Sequence, residues 1–62
     1  MVYENIKRIA EAQRYSIAAL ERAANLGNGV IGKWRTHAPR SLSLKVVADV
    51  LGVTVDELLK EE

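Results

Sequence analysis

Val2, Ile6, Ile9 and Ala10 recur at intervals of three and four, and apolar residues keep a 3.6-residue period along almost the whole chain. No alternating stretch is long enough to argue for a strand, so the pattern predicts an all-α domain. The first helix is expected from Val2 to near Tyr15. Ser16 suits the N-cap of a second, whose buried side is Ile17, Leu20 and Ala24. At residues 25–27 the sequence "NLG" interrupts the pattern, because Asn and Gly tolerate the positive φ of a tight turn. A third helix is expected from about Asn28 to His37, where Pro39 pushes Ala38 toward extended geometry and closes it. Ser41 can cap a fourth, with Leu44, Val47, Ala48 and Leu51 on one face and Gly52 as its C-terminal stop. Thr54 and Glu57 form a capping box for a fifth, which buries Val55, Leu58 and Leu59. Glu61 and Glu62 put negative charge at the wrong end of that helix's dipole and are expected to fray.

The 62 residues make one domain, residues 1–62, with no internal repeat. A chain of this size buries only about 60% of its unfolded surface, so its core has little to spare. With no cysteine, neither a disulfide nor a thiolate metal site supplements that core. His37 alone cannot assemble a metal site, and no cofactor is expected. One His, no Cys and no converging pair of carboxylates also argue against an enzyme. No apolar run approaches a membrane span, and "MVYENIKR" lacks a signal-peptide core. A soluble, cytoplasmic protein is the expectation.

Charge changes the picture through its distribution rather than its total of +1. Residues 1–21 balance Lys7, Arg8 and Arg14 against Glu4, Glu11 and Glu21. Residues 22–48 hold Arg22, Lys33, Arg35, Arg40 and Lys45 and no acid at all. Residues 49–62 set Lys60 against Asp49, Asp56, Glu57, Glu61 and Glu62. A basic middle of this kind suits a polyanion.

Within that middle, "NLGNGVIGKW" places Gly27, Gly29 and Gly32 at the G-x-G-x-x-G spacing of dinucleotide-binding turns. Such a turn must follow a buried strand and open a βαβ unit. Here it follows the alanine-rich amphipathic segment "SIAALERAAN", so the match is coincidental. Read as a helix at about 100° per residue, the segment gathers Val30, Ile31, Trp34 and Ala38 on one face. Asn28, Gly29, Gly32, Lys33 and Thr36 fall on the other. The internal glycines thus point away from the core, where each costs about 1 kcal/mol against Ala. A small domain that carries this cost lets another surface come close.

The stretch "SIAALERAANLGNGVIGKW" resembles the helix-turn-helix of the phage repressor and Cro-type (XRE-like) DNA-binding family. The downstream "LKVVADVLGVTVDELL" is similar to that family's closing helix pair, and "ENIKRIAEAQ" to its first helix. The resemblance spans nearly the whole chain and implies a compact five-helix, lambda-repressor-like domain. Helices two and three would form the unit, with helix three in the major groove of double-stranded DNA. Carried over, Leu20, Leu26, Ile31 and Trp34 match core positions. Asn28, Gly29 and Lys33 match base-facing positions, and Gly32 is expected to face the bases beside them. Ser16 and Ile17 match the phosphate-facing start of helix two, and Arg35, Thr36 and Arg40 a second phosphate-facing region. Three positions depart from the family's pattern. Asn25 replaces the turn glycine, and Ile17 replaces a polar residue that opens helix two. Glu21 stands where a small residue is usual, and is expected to turn outward or to pair with Lys33 or Arg22.

In that setting Asn28 can pair bidentately with adenine, and Lys33 can donate to guanine or to a phosphate. Gly29 and Gly32 read nothing by side chain but permit close backbone approach, which implies much phosphate and shape readout. In the fourth helix, Leu42, Val46 and Val50 widen the apolar arc beyond one core contact. With Val53 they form a candidate homodimer surface. The reading is a sequence-selective transcriptional regulator, a small repressor or Cro-like protein. The alternative is a protein-interaction module, antitoxin-like or adaptor, that keeps the fold with weak or lost DNA affinity.

Overall fold

A computed structural model of the chain describes residues 2–60. The described residues form four α-helices and one 3-10 helix, with no strand among them. Helix α1 is Val2–Ala12, α2 is Ile17–Ala23, the 3-10 helix is Ile31–Arg35, α3 is Ser41–Leu51 and α4 is Val55–Leu59. Glu61 and Glu62, with their expected fraying, lie outside the described residues. No described helix is long and apolar enough to cross a membrane.

The same device ends three of the four α-helices. Arg14 (φ 64°), Asn25 (φ 60°) and Gly52 (φ 70°) each take the left-handed conformation just past a helix. In each case the next amide reaches back to a carbonyl five residues earlier: Tyr15 to Ala10 at 2.8 Å, Leu26 to Glu21 at 2.8 Å, Val53 to Ala48 at 3.0 Å. The left-handed residue's own amide closes the shorter ring, to Glu11, Arg22 and Asp49 respectively. These are Schellman motifs, and their usual hydrophobic partner is present as Tyr15, Leu26 and Val53, all packed against the core. Gly52 and Asn25 suit the position sterically. Arg14 does not, and α1 ends at Ala12, earlier than its periodicity predicts.

Helix starts follow the sequence less uniformly. The Ser16 hydroxyl accepts from the Ala19 amide at 3.0 Å, and the Thr54 hydroxyl from the Glu57 amide at 3.2 Å, as local capping rules require. Ser41, expected as a cap, is instead the first residue of α3. Its cap position is Arg40, which makes no side-chain capping bond.

The core is aliphatic with one indole. Ile6, Leu20, Ile31, Val47 and Leu58 are fully buried, and Trp34 closes one side at 8% exposure. Each of the five contributes about 1.5–3 kcal/mol relative to an exposed position. Polar side chains of α1 tie distant helix ends into this core. Asn5 donates from Nδ2 to the carbonyls of Leu58 (2.9 Å) and Lys60 (2.7 Å), satisfying the end of α4. Gln13 donates to the Leu51 carbonyl at the end of α3, at 2.7 Å. The resulting body measures 27 × 24 × 17 Å.

The expected third helix, Asn28–His37, needs correction. Residues 28–30 form a turn, because Gly29 adopts φ +84°, which no right-handed helix accommodates. Regular structure starts only at Ile31 and winds tightly, the Lys33 amide being shared between Val30 (3.2 Å) and Gly29 (3.3 Å) carbonyls. Asn28 caps nothing: the residue before the helix is Val30, with no side-chain capping bond.

Candidate nucleic-acid interface

What holds this turn is Glu21. Its side chain reaches across from α2, with Oε1 accepting from the Gly29 amide at 3.2 Å and Oε2 from the Ile31 amide at 2.9 Å. Glu21 is 3% exposed, and both oxygens are met by backbone N–H groups. The expectation that it turns outward or pairs with Lys33 or Arg22 is therefore wrong. A carboxylate there does not keep the two elements apart; it fastens them. It satisfies amides that a short 3-10 helix leaves unpaired, through charge-assisted bonds stronger than neutral ones.

This arrangement also takes one of the two acids that flank the basic middle of the sequence off the surface. Residues 22–48 contain no Asp or Glu, and Glu21 beside them is buried. Lys33, Arg35 and Arg40 are all exposed, so the 3-10 helix and the loop after it contribute only positive charge to their outer face, while Glu4 of α1 lies at the edge of this face, beside Arg35.

Gly29, Gly32, Lys33, Arg35 and Thr36 line one shallow depression on that face. It unites three of the four positions expected to face bases with two expected to face phosphate. Asn28, the fourth base-facing residue, is exposed outside it. A methyl group built on Gly32 or Gly29 meets no heavy atom within 4 Å beyond its neighbours in the chain. Neither glycine is required by packing, although Gly29 is required by its φ. Arg40 lies on an adjoining groove with Lys33, Thr36 and Ser43.

Arg35 is pre-positioned. Its guanidinium carbon lies 5.4 Å from the centroid of the Tyr3 ring, and Nε donates to the Gly32 carbonyl at 3.2 Å. Stacking of this kind is worth about 0.5–1 kcal/mol at an exposed site. The Thr36 hydroxyl lies 2.9 Å from Nδ1 of His37. At the start of α2, Ser16 is exposed, with its oxygen engaged as the cap, while Ile17 is half-buried and packs on the core.

The candidate dimer surface is divided. Leu42 is 74% exposed, whereas Val46, Val50 and Val53 are half-buried and pack against the domain's own core. Two further contributors, Glu21 and Tyr3, escape sequence reasoning as site residues. Glu21 bonds to residues eight and ten positions ahead, beyond any local capping signature, and Tyr3 meets Arg35 only through the tertiary fold.

No family model matches this chain, and no curated protein or solved structure shows significant similarity to it.

Proposed function

We propose that this chain is a sequence-selective, double-stranded DNA-binding regulator of transcription. In this reading α2 and the 3-10 helix act as a helix-turn-helix pair. The segment from Asn28 to Thr36 enters the major groove, which at about 12 Å wide admits a helix. The observation that carries the reading is the exposed basic cluster of Lys33, Arg35 and Arg40 beside a turn whose own acid, Glu21, is buried against it. Gly29 and Gly32 leave the centre of that face bare, so backbone can approach base edges. Lys33 and Asn28 are its long readers, and Arg35, Thr36 and Arg40 meet the flanking phosphates. Ser16 and Ile17 face the phosphates at the start of α2. Two copies on adjacent half-sites, meeting around Leu42, would span about one helical turn.

Titration of a fluorescent random duplex at several salt concentrations tests this. Log affinity should fall with log salt at a slope of about −0.9 per phosphate neutralised, near −3 if Lys33, Arg35 and Arg40 each contribute one. Arg35→Ala and Arg40→Ala should weaken binding to all sequences alike and flatten the slope. Unchanged affinity in both variants at low salt refutes the docking. A second reading, a protein-interaction module, draws on an open, largely apolar groove of about 480 Å³ beside the basic face, lined by Val2, Trp34, Pro39, Leu44 and Leu59 among others. Absence of duplex binding at low salt selects it.

A further inference from the structure

The turn between α2 and the 3-10 helix is closed by one backbone bond of its own, from the Val30 amide to the Gly27 carbonyl at 3.2 Å. Gly27, Asn28 and Gly29 are exposed, two of the three are glycines, and the 3-10 helix lacks a side-chain cap. A glycine-rich segment loses much backbone entropy on ordering. The two bonds from the Glu21 carboxylate, to the amides of Gly29 and Ile31, are the side-chain hydrogen bonds that add to this and fix the backbone at the start of the 3-10 helix.

We infer that Glu21 is the positioning residue for sequence discrimination: it pre-orders the Asn28–Lys33 segment so that base-edge contacts form without an ordering cost at binding. This rests on the DNA-binding reading. Glu21 touches no base or phosphate, and general affinity for the duplex comes from Lys33, Arg35 and Arg40, whose charges remain when Glu21 is replaced. Loss of the clasp therefore falls on the ratio of specific to random binding. The backbone entropy of two or three residues sets the upper bound, and part of the order survives through the buried Ile31. The specific complex should weaken about 10- to 100-fold, and the random one less than about 3-fold.

The test compares wild type, Glu21→Gln and Glu21→Ala. Each is titrated with the duplex most enriched by wild type from a random pool, and with random duplex, at one ionic strength. Amide hydrogen exchange is measured alongside. Gln is nearly isosteric and keeps the fold, but it sets an NH2 group against one of the two amides. Supporting results are a reduced specificity ratio in Glu21→Gln, with lost protection at Gly29 and Ile31 and retained protection at Leu20 and Val47. An unchanged ratio overturns the inference, as does an equal loss of both affinities with the core intact. Unprotected Gly29 and Ile31 amides in wild type also overturn it, whatever the variants do. Wild type that binds no duplex overturns the DNA-binding reading, and this inference with it, even where those amides are protected.

Discussion

Gly32 offers the sharpest separation of folding from function. It is the second residue of the 3-10 helix and does not have a positive φ. A Cβ added there meets no heavy atom within 4 Å beyond its chain neighbours. Gly32→Ala therefore adds no clash and no backbone strain. It removes the helical glycine penalty, about 0.5–1 kcal/mol. For a domain of this size 1 kcal/mol shifts Tm by roughly 4–8 °C, so the variant should melt about 2–8 °C higher. If the bare face meets DNA closely, the same methyl intrudes on a packed interface at about 1–3 kcal/mol, a loss of about 5- to 150-fold for the enriched duplex. Calorimetry and duplex titration on one preparation read both effects. A lower Tm refutes the backbone account of Gly32. A higher Tm with undiminished affinity refutes the close approach. Gly29→Ala is the internal control, since its φ of +84° makes any side chain strained and should lower Tm.

Arg14→Gly should stabilise the domain by about 0.5–1 kcal/mol, because relief of the left-handed strain outweighs the added freedom of the unfolded chain; urea denaturation reads the difference. Asn5→Ala leaves the Leu58 and Lys60 carbonyls without their donor and should cost about 1–3 kcal/mol, with α4 amides losing exchange protection first. Tyr3→Leu keeps an apolar surface beneath Arg35 but removes the ring that orients it; duplex affinity should fall about 2- to 5-fold at low salt. An unchanged affinity would place Arg35 outside the interface.

Much of this architecture is legible from short-range rules. Ser16 and Thr54 cap as their side chains dictate, since each needs only an amide three residues on. Asn25 and Gly52 end helices because they tolerate positive φ. Leu20, Ile31 and Trp34 are core, as their period requires. The same rules fail at Arg14, whose side chain gives no hint of a left-handed conformation. They fail again at Asn28–His37, where a well-formed helical period covers a turn.

The chain's own order of residues thus determines an all-α domain, most of its core faces (Leu59, expected inside, is 48% exposed), most of its helix ends and the sorting of charge into a basic middle. Tertiary structure alone decides the shape of the element that carries the basic face. Two amides of that turn find their acceptor on α2, eight and ten residues back. Asn5 and Gln13 complete helix ends 38 to 55 residues away. Periodicity reports which side chains want burial, but not which distant group satisfies a backbone amide, and that partner is what selects the turn over a longer helix.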